Sequence, residues 1–282
     1  MQNVLSQLKR PIARGVSNVL QRAGYKIERT TAGLRTSQDQ LNVYNENGLQ
    51  SVRNHDFVND ARFKKAMKFA LGGVVEQHFA AQNRFAPHGR WNFHVDFWAA
   101  SHALRLNGDL VQLGVFSGTG AAGIVKYTDF QNYPSRKFYL VDTFTGVPAE
   151  QWTEEELRNG ANSAQWLYKE AGDTCDKVRE RFTDYKNVVI VQGKVPDILP
   201  SIPVEQIALL MLDMNAAYPE LCAANFFWDR LVSGGLLLSD DYGHGHQGVG
   251  YFCQKRALDD FAKSKDLPVL ALPTGHGLLI KP

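Results

Sequence analysis

The sequence has no run of about 18 uncharged apolar residues, so it offers no transmembrane helix. Its first 22 residues lack the apolar core of a secretory signal. Cysteine is scarce: Cys175, Cys222 and Cys253 are an odd number, widely spaced, with no CxxC pair. That argues against a disulfide framework and a cysteine-built zinc site, and it suits a reducing cytoplasm. An excess of one charge is also missing. With 31 Lys+Arg against 29 Asp+Glu, the net charge is +2, too little for a chain built to coat nucleic acid. No internal repeat is visible. What is present is a globular composition, 44% hydrophobic and 21% charged, over 282 residues. That length can bury the core of one large α/β domain with an appendage.

The appendage comes first. Residues 1–36 carry Lys9, Arg10, Arg14, Arg22, Lys26, Arg29 and Arg35 against Glu28, a net +6. Val4, Leu5, Leu8, Ile12, Val16, Val19 and Leu20 recur at roughly helical spacing, interrupted by Pro11. This predicts a basic helical extension over 1–56. It packs on the main domain or a second subunit, or touches a membrane surface or an anionic substrate. The polar stretch 37–56 reads as a connector. From Phe57 the pattern becomes dense, and the main domain is expected over 57–282. Asn59 or Asp60 is set to cap a helix through Leu71, stopped by Gly72-Gly73. A second helix is expected from Trp91 to Leu106.

Then short apolar runs alternate with helical stretches. The runs are Leu110–Phe116, Lys137–Val141, Val188–Val191, Ile207–Leu212 and Leu236–Leu238. Pro268–Leu272 and Gly277–Ile280 follow around a Pro273-Thr274-Gly275 turn. The expected fold is therefore α/β. It is a doubly wound, mostly parallel, seven-stranded Rossmann-like sheet closed by an antiparallel hairpin. The segment 143–187 is too long for a plain connection and reads as a lid.

In such sheets the ligand lies at the carboxyl ends of the strands. The first strand runs into Gly114-Val115-Phe116-Ser117-Gly118-Thr119-Gly120, and the second ends in Asp142, 28 residues after Gly114. An acid there can accept both hydroxyls of a ribose. Two cofactors compete for this loop. Gly118-Thr-Gly120-Ala-Ala-Gly123, with Asp142 beyond it, fits the dinucleotide pattern of a nicotinamide-dependent oxidoreductase. The other reading is the S-adenosylmethionine (SAM) loop, with Gly118 and Gly120 under the methionine part. The closing hairpin favours SAM, because a dinucleotide half would continue with parallel strands.

Two more strand ends carry acids. Ile207–Leu212 ends in Asp213-Met214-Asn215, and Leu236-Leu-Leu-Ser239 ends in Asp240-Asp241-Tyr242. Asp213, Asn215, Asp240 and Asp241 form a hard oxygen set suited to Mg²⁺ or Mn²⁺. Three carboxylates packed together call for a cation or for protonation. His244 and His246 follow and are candidate general bases.

The sequence resembles the macrocin O-methyltransferase family of class I SAM-dependent, metal-assisted enzymes that methylate sugar hydroxyls. The likeness runs through Trp91-Asn-Phe-His94, Trp98–Ala103, Gly108–Val115, Val141–Pro148, Gln192–Pro200, Ile207–Asn215, Gly234–Tyr242 and Cys253–Phe261, roughly residues 57–262. It implies that Gln112, Gly114, Val115, Phe116, Ser117, Gly118, Gly120, Asp142, Thr143, Phe144, Gln192 and Gly193 hold SAM. It also implies that Asp213, Asn215, Asp240 and Asp241 hold the metal. Asp213, His244 and His246 are the candidate catalytic groups. A small sugar-containing acceptor is the implied partner, with self-association open and nucleic acid not expected.

Two departures stand out. Gln112 replaces a usual Glu, and Asn215 replaces the second Asp of an Asp-x-Asp motif. An amide cannot take a proton at neutral pH. The second hypothesis is thus a SAM-binding protein with altered or lost catalysis.

Overall fold

The computed structural model describes residues 43–82, 89–243, 245–246 and 249–282, with backbone alone for 245, 246, 249 and 250. The expected basic helix lies outside these residues. Val43–Pro282 forms a compact unit. It opens with a hairpin of β1 (Tyr44–Glu46) and β2 (Leu49–Ser51). Asn47 (φ 49°) and Gly48 (φ 77°) make its turn, the conformation an Asn-Gly pair favours in two-residue hairpins. The connector expected over 37–56 is therefore structured from Tyr44 to Ser51. Three helices follow: α1 (Ala61–Ala70), α2 (Val74–Ala81) and α3 (Arg90–Ala103). Asp60 caps α1, its Oδ1 accepting from Phe63 N at 2.7 Å. The hairpin docks on the start of α3. Glu46 accepts from Arg90 N at 2.8 Å, and the Tyr44 hydroxyl accepts from Trp91 N at 3.1 Å.

The α/β alternation then runs β3 (Asp109–Leu113), α4 (Thr119–Thr128), β4 (Phe138–Asp142), α5 (Glu154–Arg158), α6 (Gln165–Ala171), α7 (Cys175–Arg181), β5 (Val188–Gln192), β6 (Ile207–Leu212), α8 (Ala217–Phe227) and β7 (Leu231–Ser239). A two-residue pair, β8 (Gly245–His246) and β9 (Val249–Gly250), precedes α9 (Phe252–Ser264), β10 (Leu270–Ala271) and β11 (Gly277–Ile280). The seven-stranded sheet has the order β10-β11-β7-β6-β3-β4-β5. From β7 to β5 the strands are parallel. β11 lies antiparallel to both β7 and β10, which is the expected closing hairpin.

Both faces of the sheet are covered, and the strand pattern explains why. Leu110, Leu140, Leu209 and Leu238 join a core with Phe63, Phe97 and Ile124 of the first helices. Val111, Leu113, Leu210, Leu212 and Leu237 join another with Phe227, Leu258 and Phe261. Alternate residues thus face opposite layers, and Leu110, Val111, Leu209, Leu210 and Leu237 are fully buried. After β5 the chain crosses back past β3 to place β6 on its other side. That reversal opens a crevice at the carboxyl ends of β3 and β6, where doubly wound sheets bind ligands.

Candidate active site

The crevice is lined first by the loop after β3. Gly114 sits at φ +88°, and a Cβ there would lie 1.8 Å from Asp213 O. Only glycine lets the ends of β3 and β6 approach so closely. Asp142, at the end of β4, organises the neighbouring backbone. Its Oδ2 accepts from Val115 N at 2.5 Å and Phe116 N at 2.8 Å, while Oδ1 accepts from Phe144 N at 2.7 Å. The acid expected to hold a ribose therefore first holds the loop, while still lining the crevice.

From below, Glu76 of α2 accepts from Ser117 Oγ at 2.7 Å and from Thr119 Oγ1. Arg181 locks this acid at 3.0 Å and donates to Ser117 O at 3.0 Å. Both side chains of the pair are nearly buried. At Gly120 a Cβ would meet only Gln112 Nε2, at 3.9 Å. The room there belongs to the crevice, as a ligand-facing glycine requires. Gly123 differs: a Cβ would strike the Phe97 ring at 2.7 Å. It serves helix packing, a role the dinucleotide pattern also gives its last glycine, so Gly123 does not separate the two cofactors.

Gln112 is buried beneath the loop. Its Nε2 donates to Gly114 O at 2.9 Å. That carbonyl fixes the amide orientation, leaving Oε1 buried with no partner among the described residues. The crevice therefore holds an unsatisfied acceptor where a ligand donor, such as an ammonium, would be favoured.

The second half of the crevice is acidic. One oxygen each of Asp213, Asp240 and Asp241 lie within 4.8 Å of one another. Burial, then the neighbouring Asp240 and Asp241, push Asp213 well above the usual carboxylate range. Burial, then Glu220 and Asp240, do the same to Asp241. Glu220, on α8, accepts from Met214 N at 3.1 Å, and burial pushes it up to about 8. Asp241 Oδ2 is buried without a hydrogen-bond partner among the described residues. An orphaned oxygen and three clustered carboxylates fit one divalent cation.

Asn215 sits beside them at φ 55°. Its Oδ1 accepts from the Tyr251 hydroxyl at 2.8 Å, and its Nδ2 faces Asp213 Oδ1 at 3.3 Å. The amide nitrogen, not the oxygen, points at the cluster. Ligation by Asn215 would need the amide to turn over.

Sequence reasoning missed His276 and Asp96, which also line the crevice. His276 Nε2 lies 3.0 Å from Asp240 Oδ1 and 3.5 Å from Asp96 Oδ1, close enough for ion pairing. Burial opposes its charge, but Asp240 and Asp96 outweigh burial and push it up to about 10. This ring answers part of the repulsion that the sequence alone assigned to a metal. His244 lies outside the described residues, and only the backbone of His246 is described, in β8.

The cavity spanning both halves measures about 430 Å³. Gln112, Gly114, Val115, Phe116, Ser117, Gly120, Asp142, Thr143 and Gly193 line it. Gly118 instead caps α4, and Phe144 is buried in the core. Gln192 reaches Thr143 O at 3.3 Å from an exposed position. Val147, Pro148, Gln151, Trp166, Leu167 and Tyr168 of the 143–187 segment form one wall. Trp152 Nε1 also donates to Asn215 O at 2.8 Å.

The sequence and the fold resemble those of known proteins. The profile of the macrocin O-methyltransferase (TylF) family matches residues 98–269. The chain belongs to this family. Mycinamicin III 3''-O-methyltransferase from Micromonospora griseorubida is 28% identical over 145 residues, 48% of this chain and 55% of that protein. The match thus spans about half the length of this relative. The structure of the O-methyltransferase NovP shares the fold, with a TM-score of 0.61 and 19% identity. It covers 78% of this chain and 97% of NovP. Family membership moves the nicotinamide reading out of contention. Among the described residues, no helix is long and apolar enough to cross a membrane.

Proposed function

We propose that this member of the family transfers the methyl group of SAM to a sugar hydroxyl of a small glycosylated molecule. The observation that carries the reading is the continuity of the cavity from the glycine loop to the carboxylate cluster. A sulfonium methyl held over Gly120 would face a hydroxyl held near Asp213. When bound, SAM would supply its methyl group for in-line transfer, the S–CH₃ bond breaking as the O–CH₃ bond forms, to leave S-adenosylhomocysteine (SAH), an ether and a proton. Holding the two reactants aligned supplies most of the help such a step needs. Gln112 Oε1, buried without a partner among the described residues, would accept from the methionine ammonium. Asp142 keeps the loop in shape around the cofactor. The 143–187 segment acts as the lid, with Tyr168 and Trp166 against the reactants.

Asp213, Asp240 and Asp241 would hold Mg²⁺ or Mn²⁺. When bound, the cation supplies Lewis-acid lowering of the hydroxyl pKa. Asn215 has no site for the departing proton, so the proton passes to a neighbouring carboxylate. Asp213, whose Oδ1 lies 3.3 Å from Asn215 Nδ2, is one such carboxylate.

The relative from Micromonospora griseorubida is named for O-methylation of mycinamicin III, which supports a hydroxyl acceptor. The resemblance to enzymes that methylate sugar hydroxyls supports the sugar. The test is calorimetric titration with SAM alongside transfer of labelled methyl to a panel of alkyl glycosides and nucleotide sugars, with and without chelator. SAM binding with chelator-sensitive transfer is expected. Asn215 also favours the second reading, SAM binding without turnover. Binding with no transfer to any acceptor would decide for it.

A further inference from the structure

The closing hairpin brings a histidine to the rim of the acidic cluster. Gly277 pairs with Ser239, so the antiparallel register sets His276 beside Asp240. The ring is 1% exposed. Helix α3 fixes its surroundings at two points one turn apart. Asn92 Nδ2 donates to Thr274 O at 3.1 Å, which pins the turn. Asp96 Oδ1 lies 3.5 Å from His276 Nε2. On the other edge of the ring, Nδ1 and Thr274 Oγ1 are 2.7 Å apart. With the threonine hydroxyl donating to Nδ1, the proton sits on Nε2, which lies within ion-pair distance of Asp240 and Asp96 but outside hydrogen-bond alignment with either.

We propose that His276, held by Thr274 and Asp96, is a positioning residue that sets the direction in which the Asp240 carboxylate joins Asp213 and Asp241. The inference rests on the divalent-cation reading above. A carboxylate on a loop can rotate about its last torsion, which is broad. A buried ring held 3.0 Å from one oxygen, paired with it by charge, restricts that freedom and sets the direction of the carboxylate. Partners of this kind, one shell away from a metal, typically matter by 10–100-fold in metal affinity. The neutral ring in this tautomer and its cation both carry the N–H at Nε2 that the contact requires.

The test uses the full chain with Mn²⁺ as the probe. Its dissociation constant is measured by electron paramagnetic resonance, with SAH affinity by calorimetry as a control. His276→Leu should weaken Mn²⁺ about 10–100-fold and leave SAH binding within about twofold. His276→Gln can place its amide N–H near the former Nε2 and should recover most of the loss. Asp96→Asn keeps the ring but loosens it, and a several-fold loss is expected. Unchanged Mn²⁺ affinity in His276→Leu overturns the proposal, and so does a Gln variant as weak as the Leu variant. If His276→Leu does not fold, Asp96→Asn decides: unchanged affinity there overturns it. If the unsubstituted chain takes no Mn²⁺, the cation reading fails and this inference falls with it.

Discussion

Asp142 shows how one carboxylate can be placed for two tasks. Its oxygens accept from the backbone of Val115, Phe116 and Phe144 before any ligand arrives. Asp142→Ala should therefore lower stability by about 1–3 kcal/mol as well as SAM affinity, because buried donors lose their acceptor. Urea unfolding and calorimetry together check this; SAM affinity lost at full stability would point to ribose contact alone. Asn215 poses the opposite case. Asn215→Asp removes the donor facing Asp213 and adds a like charge 3.3 Å from it. Without metal the variant should melt lower than the parent. With metal it gains an oxygen ligand, and Mn²⁺ should bind about tenfold tighter, ~1.4 kcal/mol. A variant equally stable in chelator, or weaker for Mn²⁺, contradicts that placement. At this scale the sequence was readable where a strand ends in acid, as at Asp142, Asp213, Asp240 and Asp241. It was not readable at His276 and Asp96. Those two meet only through strand register and helix packing, across 180 residues of chain.

Among the elements, α2 anchors the glycine loop from outside the alternating pattern. Its Glu76 binds Ser117 and Thr119, and Arg181 of α7 closes the pair. Removing one partner leaves the other charge buried, which costs about 3–5 kcal/mol. Arg181→Met should therefore destabilise by that amount in urea. The double variant with Glu76→Gln should regain a substantial part. A loss below about 1 kcal/mol in Arg181→Met would reduce the pair to a surface contact. Element recognition from sequence followed the end signals. Asp60 marked α1, and alternating apolar runs marked β3 to β7. The start of α2 has no polar cap, since Gly73 offers no side chain, so nothing local announced it. Two other elements were announced and passed over. Asn47-Gly48 signals the β1–β2 hairpin, and Thr153-Glu-Glu-Glu156 is the capping box of α5.

For the whole molecule, the acidic cluster sets how folding responds to pH. Asp213 and Asp241 are raised by burial and like charge, and Glu220 is raised to about 8. A raised acid favours its protonated form in the fold. Its contribution to stability therefore falls as pH climbs from the unfolded value near 4 to the folded value. His276, raised to about 10, acts in the same direction. Its stabilisation is complete below about 6.5 and is lost as pH rises through 10. From pH 6 to 8.5 the folded chain thus holds more protons than the unfolded one at these sites. Their linked contribution to stability must decline over that range. A divalent cation competes for the same oxygens, so its affinity should rise with pH. At about 100 times its dissociation constant, a cation stabilises by about 2.7 kcal/mol. For a domain of this size, that is on the order of 5–10 °C in Tm. Thermal melts in chelator should fall in Tm between pH 6 and 8.5. Melts in Mn²⁺ should stay flatter, so the difference between the two sets widens with pH. A Mn²⁺ shift that is absent at every pH would leave His276 and protonation as the answer to the clustered charge. A shift equal at pH 6 and 8.5 would place the cation elsewhere than on Asp213, Asp240 and Asp241.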